Sequence, residues 1–595
     1  MAPASDQITY QPQAMSHNAA AQLRGNSMAA SINGVRIRSG DLDTSNSLEV
    51  RKYLHTHGRL PPAVESYQTQ AARALKQLAS KTTTLDKYSF LGHLRQNNVH
   101  LFYRLVVDHL EDLAPIIYTP GVGEACLNWS EIYERSEGLY LSYADRGSIA
   151  SVLQNWPEPN VEMTVVTDGS RILGLGDLGI NGMGIPVGKL ALYTGCAGIR
   201  PQTTLPLMLD LGTNNEAFQK DPLYMGSRNG RISAKEEQEF QDELMAALNE
   251  RWPGIVVQFE DFKNPFPALE RYRHKYTCFN DDIQGTGSVI LAGIINAIKR
   301  SGVPVKDHRA VFMGAGSAGV GVAKQIVEYF MKEGLSEYEA RRRFWLVDTK
   351  GLVTNDRGDK LADHKTYFSR DDNEGLQIKQ LGEVVEHVKP TILMGLCTIG
   401  GIFDQKILTR MGEFHDAPII FPLSNPSNNS ECTFEDAMKY TGGRALFASG
   451  SPFPPLTYNG ETYSPGQGNN MYVFPGIGLG TILSKAVNVT QEMIYASAVS
   501  LSTALSPDEV EKGYLYPEVR RIRDVSVIVA RGVIRAAQQQ GVDRELSIRD
   551  LSDSALDSWI RDRMYDPRTQ KDLYDQELQS FVGDVRKPPK ESPHL

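Results

Sequence analysis

Between Pro61 and Ile117 apolar positions recur at helical spacing, in LPPAVESYQTQAARALKQLAS and then in LDKYSFLGHLRQNNVHLFYRLVVDHLEDL, and predict a run of helices. PIIYTPGVGEACLNW follows and reads as a short apolar strand, a Thr-Pro-Gly turn and a helix opening near Val122. From Val161 the period changes. MTVVTD is a continuous apolar run closed by Asp168-Gly169, TLPLMLDLGTNN is a second, and IVVQFEDF a third, with the charged helical pattern AKEEQEFQDELMAALNERW before the last. The alternation continues with the helical SVILAGIINAIKRSG. HRAVFMGAGSAGVGVAKQIVEYFMKEG reads as strand, glycine turn and helix, and RFWLVDTKG as a strand ending in Asp348. PTILMGLCT and PIIFPLSNP are short strands with turn residues at their ends, and Pro517 to about Ala537 is helical again. Strands alternating with helices predict an α/β protein with parallel sheets.

The 595 residues exceed one ordinary core and predict three or four domains or subdomains. A net charge of −9 leaves no basic footprint, which argues against nucleic acid and anionic membranes as partners. No uninterrupted apolar run approaches the roughly 20 residues that span a bilayer. Cys126, Cys196, Cys278, Cys397 and Cys432 are scattered without a CxxC, so a disulfide framework or zinc site is not expected and a reducing compartment is. The segment to about Leu48 is rich in Ala, Ser, Gln and Asn, with Asp6 the sole acid before Asp41, and reads as a disordered tail. A transit peptide is the alternative, so the expected compartment is the cytoplasm, or else the mitochondrial matrix.

Candidate chemistry begins with two GxGxxG runs. Gly314-Ala315-Gly316-Ser317-Ala318-Gly319 follows the strand AVFM and opens a helix, the context in which glycines let the backbone approach a pyrophosphate at a helix N-terminus. Gly174 to Gly179 lacks that helix and reads instead as a rigid loop lining a substrate. Asp348, at the end of the next strand, suits the free ribose hydroxyl of NAD, whereas Thr349, Lys350 and Lys365 nearby suit the 2′-phosphate of NADP; both cofactors stay open on these residues.

Two acidic pairs, Glu260-Asp261 in VVQFEDF and Asp281-Asp282 in YTCFNDDIQGTG, each follow an apolar or aromatic lead-in rather than a charge run. Without interleaved His or Cys, they suit a hard cation, Mg²⁺ or Mn²⁺, or else they are solvated acids. Lys189, at the end of GMGIPVGK, read as a glycine-rich loop, is either a base of lowered pKa or a lysine that snorkels to water. Tyr118 is a proton donor or a packed aromatic, and Arg171 holds a carboxylate or decorates a turn.

In order, LPPAVES, LDKY, LFYRLV, PIIYTPGVGEAC, RILGLGDLGINGMGIPVGKLALYTGCAGI, LDLGTNN, VQFEDF, FNDDIQGTG, GAGSAGVGVA, PLSNPS, ASGSPF and GQGNNMYVFPGIGLG closely resemble malic enzyme of the large eukaryotic type. The resemblance implies a Rossmann-type doubly wound parallel sheet domain, a second α/β substrate domain and a helical N-terminal region. It implies oxidative decarboxylation of malate to pyruvate, with Tyr118 as general acid, Lys189 as general base and Asp281 as partner of the lysine. Glu260, Asp261 and Asp282 would hold Mg²⁺ or Mn²⁺, which polarises the C2 oxygen; Arg171, Asn425 and Asn470 would hold substrate, and Arg171 and Asn425 also cofactor. The family pattern at Thr349, Lys350 and Lys365 moves the expected cofactor towards NADP, with NAD as alternative. A tetramer, a dimer of dimers, is implied as well. Arg73 matches one arginine of the family's fumarate site, but Asn97 stands where the second belongs, which puts fumarate activation in doubt.

The expected division is a tail (1–48), a helical domain (49–135), a substrate and metal domain (136–280), an NAD(P)-binding domain (281–470), a return segment packing on the substrate domain (471–545), and a C-terminal extension and tail (546–595). Two other functions compete. A metal-independent 2-hydroxy-acid dehydrogenase would need a histidine, and His274 is the one near the acidic pairs. A non-enzymatic NADP(H) sensor would not need Tyr118 or Lys189.

Overall fold

A computed structural model describes residues 31–32, 35–36, 43–53, 56–358, 360–425 and 427–568. Most of the expected N-terminal tail and the end of the expected C-terminal tail lie outside the described residues. The chain forms two compact units. The first combines the described residues up to Lys81 with Phe90–Arg104 and the residues from Pro567 on. Its helix Tyr67–Ala79 is capped by Ser66, whose side chain accepts from the Thr69 amide. The buried Arg51 there is satisfied by the carbonyls of Thr44, Asn46, Pro61 and Ala63. Arg73 donates to Glu65 at 2.8 Å, and Asn97 donates to the His93 carbonyl.

The second unit, Thr82–Ser89 with Leu105–Asp566, carries every predicted site residue. Its first sheet is made of β1 (Leu139–Ser142), β2 (Met163–Thr167), β3 (Thr204–Asp210), β4 (Val256–Phe259) and β5 (Cys278–Asn280), in the order β1-β3-β2-β4-β5 and all parallel. The second is made of β6 (Ala310–Met313), β7 (Phe344–Asp348), β8 (Gly351–Leu352), β9 (Ile392–Gly395), β10 (Ile419–Pro422), β11 (Leu446–Ser449) and β12 (Gly466–Gln467). Its order is β8-β7-β6-β9-β10-β11-β12, parallel apart from the β7–β8 hairpin. The order runs outwards from β6 in both directions, the doubly wound arrangement that leaves a crevice at the C-terminal strand ends. The continuous apolar runs of the sequence are these parallel strands, buried on both faces.

Two expectations are corrected. PII is not a strand but the last turn of α1 (Leu110–Ile117), which is followed by α2 (Gly121–Leu127). Leu110, Leu113, Ala114 and Ile117 form a buried stripe at helical spacing, and it outweighs the bond lost at Pro115. The glycine-rich stretch around Lys189 is likewise no loop. It is α3 (Gly184–Ala197), a helix buried on every side. Its glycines are close-packing positions: a Cβ at Gly188 would lie 2.8 Å from the Ile117 carbonyl, so the end of α1 and the Lys189 turn can meet.

Helices α4 (Thr286–Ser301) and α5 (Ser317–Lys332) pack side by side. The chain then returns through α6 (Phe474–Ser484), α7 (Gln491–Ser502) and α8 (Ile522–Gln539), and α6 and α8 pack on α3. No helix among the described residues is long and apolar enough to cross a membrane.

Candidate active site

Strand ends and one helix turn assemble the site. Strand β4 runs into Glu260 and Asp261, both buried, and the Glu260 amide donates to the Val166 carbonyl of neighbouring β2. Asp261 takes φ +57°, a left-handed conformation that aspartate tolerates better than most residues. Its amide donates to Asp282 Oδ2 at 2.8 Å, and its own Oδ1 accepts from the Leu173 amide. After β5 the chain makes a π-helical turn, Asp281–Gly285, before α4 begins. The glycine of DDIQG has a direct reason: a Cβ at Gly285 would lie 1.7 Å from Asp281 Oδ1.

Lys189 enters from α3 and is 1% exposed, so it does not snorkel. Its ammonium pairs with Asp281 Oδ2 and lies 2.8 Å from Glu260 Oε1. The ring of Phe474 has its centroid 4.4 Å from Nζ and that of Tyr118 5.4 Å. Burial disfavours the charge, but Asp281 and Glu260 outweigh it and hold Lys189 well above its ordinary value, the opposite of the lowered pKa its apolar flank suggests. Burial also raises the Tyr118 hydroxyl, with Glu260 and Asp281 adding to it and Lys189 opposing.

One carboxylate oxygen from each of Glu260, Asp261 and Asp282 lies within 4.8 Å of the others. Burial first, then mutual repulsion, pushes Glu260 and Asp261 well above the usual carboxylate range and raises Asp282 too. Asp261 Oδ2 is buried without a hydrogen-bond partner. Three converging carboxylates, one of them with an orphaned buried oxygen, fit a hard divalent cation.

Asn470, at the return into α6, donates to Asp281 Oδ2 and to Thr286 Oγ1, each at 3.0 Å. The Arg171 amide donates to the Asp261 carbonyl, and its exposed side chain is near enough to favour ionised Asp261 and Asp282. Asn425 lies at the exposed end of β10, where its Oδ1 accepts from Ser451; none of its hydrogen bonds reaches the acidic cluster.

In the dinucleotide half the turn after β6 demands glycine. Gly314 has φ +120°, and a Cβ at Gly319 would lie 2.0 Å from the Gly314 carbonyl. Gly316 has nothing within 4 Å of such a Cβ, so the approach to the α5 N-terminus, with Ser317 and the exposed Ala318, is open, as a pyrophosphate requires. Asp348 ends β7 and both its oxygens are occupied. Arg357 binds it in a fork at 2.8 and 3.1 Å, Lys365 lies 2.7 Å from Oδ2, and the Lys350 amide donates to Oδ1. Thr349 and Lys350 form the exposed turn between β7 and β8.

Sequence reasoning missed Arg357, Phe474, Gln258 and Tyr193. Gln258 carried a signal, a lone amide inside the apolar strand IVVQF.

Known proteins share this architecture and sequence. The family model described as "Malic enzyme, N-terminal domain" matches residues 95–273, and that described as "Malic enzyme, NAD binding domain" matches residues 283–538. The NADP-dependent malic enzyme of Dictyostelium discoideum is 49% identical over 510 residues, covering 85% of this chain and 94% of that protein. The human NADP-dependent malic enzyme is 45% identical over 502 residues, 84% of this chain and 87% of its own. The NAD-dependent malic enzyme of Photorhabdus laumondii is 45% identical over 527 residues, 87% of this chain and 92% of its own. The crystal structure of Entamoeba histolytica malic enzyme superposes with a TM-score of 0.53 at 22% identity, covering 90% of this chain and 95% of that one. With both family models matched in order across the two sheets, and close relatives along more than four-fifths of its length, the chain belongs to the malic enzyme family.

Proposed function

We propose that the protein oxidises (S)-malate and decarboxylates it to pyruvate and CO₂, with NADP⁺ as the preferred hydride acceptor. The observation that carries this reading is Lys189, buried between Asp281 and Glu260 at the edge of a three-carboxylate cluster. A lysine, a tyrosine and a cation site within one enclosure supply what two successive steps demand: a base for the C2 hydroxyl, charge stabilisation, and an acid for the product carbon.

Glu260, Asp261 and Asp282 would hold Mg²⁺ or Mn²⁺. When bound, the cation supplies positive charge where negative charge develops on the C2 oxygen. The chain does the remainder. Lys189 rests as an ammonium and acts as base only after passing on its proton, and Asp281, already its partner, is the nearest acceptor. Tyr118, kept protonated by burial, is the acid at hand and lies against Lys189, from which it recovers its proton. Arg171 and Asn425 are assigned to the malate carboxylate and the nicotinamide side, and Asn470 to substrate through its Oδ1, since its amide is taken.

The choice of NADP is supported by Asp348. A free ribose hydroxyl wants an acid free to accept, whereas Arg357 and Lys365 place two cations against this one carboxylate. The relatives named NADP-dependent point the same way. Assembly as a homotetramer is part of the same reading. A steady-state assay with malate and Mn²⁺, comparing NADP⁺ with NAD⁺, tests substrate, metal and cofactor together. Activity that survives thorough EDTA treatment overturns the mechanism, and equal or better use of NAD⁺ overturns the cofactor preference.

A further inference from the structure

Gln258 is fully buried on β4, at a position where its neighbours Val256, Val257 and Phe259 are apolar. An amide in such a place is costly unless both its ends are satisfied, and both are. Its Nε2 donates to Glu260 Oε2 at 2.7 Å, and its Oε1 accepts from the Tyr193 hydroxyl. The polarity has one solution. Beside the Lys189 ammonium and the cation it would hold, Glu260 is an ionised carboxylate that only accepts, so the amide nitrogen faces Glu260 and the tyrosine donates to the oxygen.

Tyr193 is locked in turn. It lies one helical turn beyond Lys189 on α3, its ring sits 4.9 Å from that of Phe474, and a Cβ at Gly478 would come within 2.5 Å of it. One face of α3 therefore addresses both oxygens of Glu260, Oε1 directly through Lys189 and Oε2 through Tyr193 and Gln258. With a donor on each oxygen, the carboxylate plane is held against rotation, within 4.8 Å of carboxylate oxygens of Asp261 and Asp282.

We propose that Gln258 and Tyr193 are positioning residues that orient Glu260 for a divalent cation. The inference rests on the reading of Glu260, Asp261 and Asp282 as cation ligands. Groups that orient a metal ligand typically contribute ten- to hundredfold in affinity, and the two residues here act in series.

The test is Mn²⁺ binding to the full-length protein without substrate, followed by the electron paramagnetic resonance of free Mn²⁺, with NADPH binding as the control for folding. Gln258→Leu should weaken Mn²⁺ about tenfold to a hundredfold while NADPH binding stays unchanged. Tyr193→Phe should weaken it several-fold, and the double variant should be no weaker than Gln258→Leu. Mn²⁺ affinity of Gln258→Leu within twofold of wild type overturns the proposal. If Gln258→Leu loses NADPH binding, Tyr193→Phe decides: several-fold weaker Mn²⁺ binding supports the proposal, and unchanged binding overturns it. Wild-type protein that binds NADPH but no Mn²⁺ overturns the cation reading itself, and the proposal with it.

Discussion

Asn470 Nδ2 stands 3.0 Å from Asp281 Oδ2, the same oxygen that pairs with Lys189. The residue that leads into α6 thus holds the carboxylate that holds the lysine, and the return of the chain fixes the position of the proposed base. Lys189→Ala should lower malate-dependent NADPH formation by about 10³, within the range for loss of a general base. Asn470→Ala, which leaves Lys189 and Asp281 in place, should cost about tenfold. Turnover of Lys189→Ala within a few-fold of wild type would show that another group takes the proton.

Arg357 and Lys365 separate in their expected effects. Arg357 forks onto Asp348 from a nearly buried position, and Lys365 is more exposed at 22%. Lys365→Ala should raise KM for NADP⁺ about tenfold, roughly 1.4 kcal/mol, and leave KM for NAD⁺ within twofold, because only NADP⁺ carries the 2′-phosphate. Arg357→Ala should weaken NADP⁺ as well but improve NAD⁺, since it frees the acid at the strand end to accept from a ribose hydroxyl. Equal losses for the two cofactors in Lys365→Ala would remove this lysine from the 2′ site.

The alternation of strands and helices was legible in the sequence because parallel strands buried on both faces are continuous apolar runs, as in MTVVTD and AVFM. Both acidic pairs and the second glycine signature were legible for a related reason: charge after an apolar run marks a strand end. The misreadings share one cause. Around Lys189 and in PII, glycine and proline carry their usual meaning of turn and break, but here they sit in helices because α3 packs so closely on α1 that Gly188 has no room for a side chain. Such a demand comes from a partner distant in sequence. The opposite direction of the Lys189 shift has the same origin, since its counter-charges, Glu260 and Asp281, arrive from other elements.

Arg231 holds together the loop that sequence assigned to the substrate. It contacts Asp168 Oδ2 at 3.1 Å and Asp177 Oδ1 at 2.8 Å, and Asp177 also accepts from the amides of Gly179 and Asn214. Burial and Asp168 push nearby Glu237 up to about 7. Arg231→Gln removes the cation from among three acids and should destabilise the protein by about 3–5 kcal/mol, as for any half-broken buried pair, read as a lowered thermal midpoint. Part of that loss should be recovered as the pH falls towards 7, because without the Arg231 charge Glu237 is raised further and takes up its proton at a higher pH than in wild type. A midpoint unchanged from wild type would mean that the loop is held by its backbone bonds.

His308 makes the fold acid-sensitive independently of the active site. Burial, the largest influence, depresses its pKa to about 4, and its ring lies 2.9 Å from Thr391 Oγ1 and 3.1 Å from the Val303 carbonyl. The neutral ring is therefore the form the fold prefers. Above the ordinary value of 6.5 both folded and unfolded states are neutral there, and the stability is fully present. As the pH falls from 6.5 towards 4, the unfolded chain binds a proton that the folded one refuses, and stability is lost. Between pH 7 and 5 this one group should cost about 2 kcal/mol. Urea titrations at the two pH values should show that loss in wild type and a smaller one in His308→Gln, whatever the variant's stability at pH 7. Equal losses in the two proteins would assign the acid sensitivity to other groups.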